Sequence, residues 1–428
     1  MTDYGIIQEF IREHGKEDTQ RLLLSKGKWP QVDMDTVVGT IEGRKRMAKK
    51  VPSWSDSDLI YPGTLCTEQC SSEATALVKA RIAGRIVGKG YRIADLTGGI
   101  GVDSWAFAEG AEAVLHNEAN GVLSEAVEYN FRKLGRDNVS FTSFLVVPDN
   151  IPEEGNSRHI KTLLGEFRPD IIFLDPARRS ETGKKVFLLE DCSPDVIPLL
   201  PSLLEEAPEV LMKLSPMADI PMVISRLQGN ISEVHVVGSE GECKELLLRI
   251  SRGHEGGITL FVHDGGRTIT LPYEMEKSAT PTFLNSPEEL AGLAVDGGLL
   301  FIPGKAISKA GLFNWTSKEW GMPKAAPSSH LYFIPGGNPV PDEVPCFGRI
   351  MEIAEILPFS SSTLKSIGKR YKKADVLAKD VPITSEQLSK KMGVSSGGEM
   401  MIVGTRVHFG GDSSKDDNRF MIICRKRH

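Results

Sequence analysis

Residues Ile93–Phe107 read IADLTGGIGVDSWAF: an apolar run ending in Asp95, then Gly98, Gly99 and Gly101, then Asp103. A strand that feeds a glycine-rich turn into a helix makes a ligand cradle, because glycine admits a close backbone approach and a helix N-terminus offers free N–H groups. Residue types exclude one familiar cradle and disfavour another. A P-loop needs a Gly-Lys-Ser/Thr step to reach phosphates, and no lysine occurs between Tyr91 and Phe131. A dinucleotide turn wants G-x-G-x-x-G around a pyrophosphate. The spacing here is Asp95-x-Thr97-Gly98-Gly99-x-Gly101-x-Asp103, and an acid two residues before the turn repels a pyrophosphate.

An acid at a strand's carboxyl end suits a cationic ligand. S-adenosylmethionine, with an ammonium and a sulfonium, is one. Glu118 closes the next expected strand, 23 residues after Asp95, where a carboxylate takes two ribose hydroxyls. The alternative is a tight turn that only closes a strand–helix unit. A further strand ends in FLDPARR, Phe173 to Arg179. Asp175 there can accept hydrogen bonds from a base amine, Pro176 stiffens the turn, and Arg178 and Arg179 can fork onto phosphate. A helix cap, or a surface ion pair for the arginines, is the plainer reading. Lys213, in VLMKLSP, ends the next strand and could touch phosphate or substrate. His116 alternates with Glu118 and reads as a core histidine. Cys192 is the one cysteine placed for carbon methylation, although a buried structural role fits it better. Gln69, Ser71 and Ser72 precede the core and could cover the ligand, with Ser71 a possible helix cap.

The elements that must position these residues follow from periodicity. The first 80 residues read as helices. From Arg92, strands and helices alternate as far as Ser251, which argues for a parallel, doubly wound sheet. After Gly253, HEGGITLFVHDGGRTITLPY reads as a hairpin. A proline-rich stretch before Cys346 marks a boundary, and the end reads βαβαββ. The chain has 428 residues, a net charge of −6 and six cysteines in no CxxC pair, so no disulfide framework is expected, and a metal site on Cys66 and Cys70 is only weakly supported because no second Cys/His pair lies nearby. No run is long enough to span a bilayer and the N-terminus lacks a secretory pattern, so the expected setting is cytoplasmic. Ser361–His428 carries 14 Lys and Arg against 7 Asp and Glu, a net of +7, while the other 360 residues carry −13. A basic end on an acidic body fits a module that faces nucleic acid, or simply a basic solvated face.

DLTGGIG, NEAN and LDPARR together resemble class I S-adenosylmethionine-dependent methyltransferases, over roughly Arg81 to Ser251. EQCSSEATALVKA, KAISKAGL and FGRIMEIAEILPF resemble bacterial members with a C-terminal THUMP-like domain. The resemblance implies an α/β fold: a Rossmann-like doubly wound methyltransferase core at 81–253, preceded by a helical region at 1–80. A β-rich connector with a small ferredoxin-like insert would span 254–345, and a THUMP-like α+β domain 346–428. It implies S-adenosylmethionine held by Asp95, Thr97, Gly98, Gly99, Gly101, Asp103, Glu118 and Ala119. Asp175 and Pro176 would act at the reacting base, and Ala177, Arg178, Arg179 and Lys213 would bind substrate. Direct methyl displacement requires no metal. The expected substrate is tRNA or rRNA, methylated on a base nitrogen; DPARR departs from the DPPY and NPPF of amino-methylating enzymes and leaves the atom open. The alternatives are an RNA-binding protein with a vestigial core and a small-molecule methyltransferase.

Overall fold

The computed structural model describes residues 3–55, 57–178, 189–227, 229–410 and 418–426, with the side chain of Arg178 also left out. The chain divides into two compact units, Met1–Val237 with Lys244–Ile258, and Gly238–Cys243 with Thr259–His428.

In the first unit α1 (Tyr4–His14), α2 (Thr19–Leu24), α3 (Met34–Lys50), α4 (Thr64–Gln69) and α5 (Glu73–Val87) precede β1 (Tyr91–Asp95). Then come α6 (Val102–Ala108), β2 (Ala111–Asn117), α7 (Gly121–Lys133), β3 (Val139–Thr142), β4 (Leu145–Val146), β5 (Ser157–Arg158) and α8 (Ile160–Leu164). The unit continues with β6 (Ile171–Leu174), β7 (Ala177–Arg178), β8 (Cys192–Ser193), α9 (Val196–Glu206), β9 (Glu209–Leu214), α10 (Ile220–Leu227), β10 (Ile231–Ser239) and β11 (Glu242–Ser251). Seven strands lie in the spatial order β3-β2-β1-β6-β9-β11-β10. The first five run parallel, and β11 is antiparallel to β9. The chain moves outward from β1 to β3 and then returns to the other side of β1. That reversal opens a crevice at the carboxyl ends of β1 and β6, the usual ligand position in such sheets.

The N-terminal helices share the sheet's core. Met47, Trp54 and Tyr61 pack with Trp105, Val127 and Phe131, so the expected separate helical region and the sheet form one unit. Ser72, not Ser71, caps α5, accepting the Thr75 N–H at 3.3 Å. Helix α4 lies within the stretch expected to be helical, although its six residues show no clear apolar period of their own.

The second unit adds the hairpin β12 (Thr259–Asp264) and β13 (Arg267–Pro272), turned at Gly265-Gly266, both at positive φ as the sequence implies. It continues with α11 (Met275–Ser278), α12 (Pro287–Gly292), β14 (Leu299–Pro303), α13 (Lys305–Ala310), α14 (Phe313–Glu319) and β15 (Tyr332–Ile334). It ends β16 (Gly348–Pro358), α15 (Ser361–Arg370), β17 (Asp375–Lys379), α16 (Ser385–Met392), β18 (Met400–Arg406) and β19 (Arg419–Lys426), the expected βαβαββ order. Six strands pair as β15-β14-β16-β19-β18-β17. Both faces of this sheet are buried, and strand alternation divides its side chains between them. Met401, Val403, Ile422 and Cys424 join one core, while Ile402, Met421 and Ile423 join the other with Leu364, Ile367 and Leu388 of α15 and α16. No helix of the described residues is long and apolar enough to cross a membrane.

Candidate functional site

Parallel register decides which side chains meet. Asp95 lies beside His116 of β2 and Phe173 of β6, and Leu174 lies beside Met212 of β9. Two residues past Asp95 and Phe173, the Asp175 N–H donates to Thr97 Oγ1 at 2.6 Å. One residue past Leu174 and Met212, Lys213 Nζ donates to Asp175 Oδ2 at 2.5 Å. The ends of β1, β6 and β9 are thereby joined.

A cavity of about 420 Å3 opens here, within the ~300–1,000 Å3 of small-molecule sites. One wall is the glycine turn from Leu96 to Asp103. Another is Glu118–Asn120 with Phe144–Val146, and a third runs from α4 through Cys66, Gln69, Cys70 and Ser71. Asp175, Ala177, Ser193 and Pro194 complete it. The wall carries three carboxylates (Asp103, Glu118 and Asp175) and no lysine or arginine among the described residues. Burial holds the Cys66 thiol up at about 11 and raises Cys70, so both face the cavity protonated. No cluster of three or more His, Cys, Asp or Glu with metal-binding potential occurs among the described residues.

Asp95 stands elsewhere than its sequence position implies. It does not line the cavity and is 1% exposed. Its Oδ2 accepts from Ser104 Oγ at 2.6 Å and its Oδ1 from the Thr97 N–H at 3.2 Å. Burial raises its carboxyl to about 7, against the pull of the Ser104 bond. His116 Nδ1 lies 2.9 Å from the same Ser104 hydroxyl, and burial depresses the imidazole to about 3, so it is neutral. Since Ser104 donates to Asp95, it accepts from His116. Asp95 braces the turn from beneath.

Two of the three glycines answer to packing. A Cβ on Gly98 would sit 2.1 Å from His116 Cε1, and one on Gly101 2.6 Å from Phe131. At Gly99, φ is +55° and nothing lies within 4 Å of a Cβ position. Its N–H donates to Glu118 Oε2 at 2.9 Å, and the Asn120 N–H donates to Glu118 Oε1 at 2.8 Å. Each oxygen keeps a second lone pair for a ligand.

Behind the cavity floor lies a buried ionic chain. Asp103 Oδ2 accepts from Ser71 Oγ at 2.7 Å, and Lys79 Nζ lies 3.0 Å from Asp103 Oδ1. Lys79, fully buried, also pairs with Glu245. Burial opposes charge on Glu245, but Lys79 and Lys213 outweigh it and hold the carboxyl low. Lys213 is 9% exposed and does not line the cavity; its ammonium faces Asp175 rather than an incoming phosphate. Burial pulls its pKa down, and Asp175, Glu245 and Asp103 more than restore it.

The remaining predicted residues fall as follows. Thr97, Gly98, Gly99, Gly101, Asp103, Glu118, Ala119, Asp175 and Ala177 line the cavity together. Pro176 is buried behind it. The backbone of Arg178 pairs with Cys192 in the β7–β8 ladder, and Arg179 lies outside the described residues. Cys192 is fully buried and off the cavity wall, as a structural cysteine would be. Sequence reasoning missed Asn117, whose amide joins Leu96, Thr142 and Phe144 at 2.9–3.1 Å and ties the cavity's two walls. It also missed Lys79, although that lysine shares a helix face with Ala76 and Ala83 and so signals a buried charge.

Comparison with known proteins agrees with this architecture. Residues 348–426 match a family described as THUMP domain-like, and residues 299–335 one described as a ferredoxin-like domain. A "putative methyltransferase" from Porphyromonas gingivalis is 26% identical over 100% of both chains, with a TM-score of 0.80. The chain has a methyltransferase-like α/β fold. A ribosomal-protein methylase from Lactobacillus delbrueckii subsp. bulgaricus is 17% identical over 42% of this chain and 79% of its own (TM-score 0.29). A 16S rRNA methyltransferase from T. thermophilus is 13% identical over 43% and 44% (TM-score 0.29). At these scores neither bears on function. No curated protein matches the chain.

Proposed function

We propose that the protein is an S-adenosylmethionine-dependent methyltransferase acting on a base nitrogen of tRNA or rRNA. The observation that carries this reading is the cavity wall of three carboxylates without a described lysine or arginine. Such a wall repels phosphates and favours a cation. S-adenosylmethionine supplies a methyl group on a sulfonium and carries an ammonium besides. Asp175, with one oxygen open to the cavity, would face those positive charges, while Asp103 is held by Ser71 and Lys79. Glu118 would take the ribose hydroxyls from the strand end that suits them, and the glycine turn would lie along the ligand. Asp175 with Pro176 would orient the base.

The RNA part of the reading rests on the second unit. Lys365 and Lys369 of α15 and Lys390 and Lys391 of α16 are exposed, and this end of the chain carries its basic surplus. Exposed lysines of this kind attract a phosphate backbone without reading sequence. The THUMP-like match agrees with that use.

Calorimetric titration with S-adenosylmethionine and S-adenosylhomocysteine tests the cofactor. The expected result is micromolar binding that weakens by roughly ten- to a hundredfold in Glu118→Ala. Absence of binding at millimolar ligand would sink the reading.

A further inference from the structure

Asp175 presents its two oxygens to different surroundings. Oδ2 accepts from Lys213 Nζ at 2.5 Å, on the side away from the cavity. Oδ1 accepts no hydrogen bond from the described residues, and Asp175 lines the cavity. Its backbone N–H donates to Thr97 Oγ1 at 2.6 Å, which fixes where the end of β6 presents the residue, and Lys213 holds the carboxylate itself. Lys213 in turn is backed by Glu245, which Lys79 also holds.

Resting on the methyltransferase reading, we infer that Lys213 is a positioning residue for the transfer step: it keeps Asp175 ionised with one oxygen open to the acceptor, which restricts the acceptor to a nitrogen that bears hydrogen. An ionised carboxylate accepts hydrogen bonds and donates none. It matches an exocyclic amine or a ring N–H and is unmatched to a bare ring nitrogen, whose lone pair it would repel. As the acceptor nitrogen attacks, a carbon–nitrogen bond forms, the carbon–sulfur bond breaks and its electron pair stays on sulfur. The surplus proton on nitrogen passes to Asp175 Oδ1.

The charged groups that face Asp175 are Lys213 on β9, Lys79 on α5, Asp103 at the start of α6 and Asp95 at the end of β1, with Glu245 on β11 behind Lys213. Burial, the largest influence, and the two aspartates hold the Asp175 carboxyl above its ordinary value, and the lysines limit that rise. Lys213 is the lysine in contact, so its loss is the decisive perturbation.

The test is an infrared pH titration of the intact protein, following the protonated-carboxyl band in wild type, Lys213→Met, Lys213→Gln and Lys213→Met/Asp175→Asn. The expected result is a carboxyl whose midpoint rises by about one to three pH units in both single variants and vanishes in the double variant. An unchanged midpoint, or a shift that persists in the double variant, overturns the inference. The glutamine variant keeps the comparison intact if methionine at this position prevents folding. Methyl incorporation from S-adenosylmethionine into total tRNA gives a second readout. In Lys213→Gln, kcat should fall below the new midpoint and recover above it, with the cofactor's KM little changed; a pH-independent loss counts against the inference. If wild type binds neither S-adenosylmethionine nor S-adenosylhomocysteine, the proposed function fails, while the infrared result still decides whether Lys213 sets the charge of Asp175.

Discussion

Ser104 Oγ donates to Asp95 Oδ2 at 2.6 Å, nine residues along the chain, and this bond turns the acid of the glycine turn into the fold rather than toward a ligand. Asp95 therefore carries a stability signature. Burial raises its carboxyl to about 7 in the folded protein, against ~3.9 in an unfolded chain. The protonated form is favoured in the fold, so Asp95's contribution is fully present below about pH 4 and is lost as pH rises through about 7. Denaturant unfolding at about pH 5 and about pH 8 should show wild type losing stability relative to Asp95→Asn, by up to a few kcal/mol. Parallel pH profiles for the two proteins would contradict this.

Glu118 separates binding from folding. It is half-buried and receives the Gly99 and Asn120 N–H groups at 2.9 and 2.8 Å. Hydrogen bonds to a charged group contribute about 1.5–3 kcal/mol, so Glu118→Ala should weaken S-adenosylmethionine binding by roughly ten- to a hundredfold. Its thermal midpoint should move by only a few degrees. Calorimetry and thermal unfolding of the same preparation check both halves.

Gly98 and Gly99 are adjacent but differ in what limits them. Gly98→Ala would drive a methyl into His116, whose ring is buried on all sides; overpacking of this kind costs about 1–3 kcal/mol. Gly99→Ala meets no neighbour and carries the left-handed φ as its main cost, about 1 kcal/mol. Thermal unfolding should rank Gly98→Ala as the less stable variant.

Lys79 is fully buried between Glu245 and Asp103. Lys79→Met leaves Asp103 without its ion-pair partner and Glu245 with Lys213 alone, and should cost about 3–5 kcal/mol. Lys79→Met/Glu245→Leu should recover part of that loss, because an apolar pair replaces an orphaned charge. Chemical denaturation of both variants is the measurement; a double variant less stable than Lys79→Met would count against the assignment.

Charge reversal at Lys390 and Lys391 tests the basic face of α16. Lys390→Glu/Lys391→Glu should weaken binding to total tRNA and flatten its salt dependence, by roughly 0.7–0.9 in slope for each phosphate no longer neutralised. Filter binding across a salt series reads both quantities. An unaltered slope would remove α16 from the RNA surface.

The longer strands and most helices from Arg92 to Ser251 and the closing βαβαββ run were readable in the chain, from helical periodicity, from alternation in the half-buried strands and from short unbroken apolar runs in the buried ones, but α8, α10 and the two-residue strands β4, β5, β7 and β8 were not. Elements of two to five residues are too short to show a period. The gathering of Thr97, Asp103, Glu118 and Asp175 around one cavity was also legible: each follows a strand that runs parallel to its neighbours, and the carboxyl ends of parallel strands share one edge.

What each of those residues faces was decided only in three dimensions. The pairing of Lys213 with Asp175 depends on the register of β6 against β9, across 38 residues of chain. The burial of Asp95 depends on a serine and a histidine from α6 and β2. The carboxylate of Glu245 meets Lys79 across 166 residues. Local sequence sets the type and order of elements, because backbone preferences and periodicity act over a few residues. Which polar groups end up sharing a buried space is set by strand register and helix packing, and those act between segments far apart in the chain.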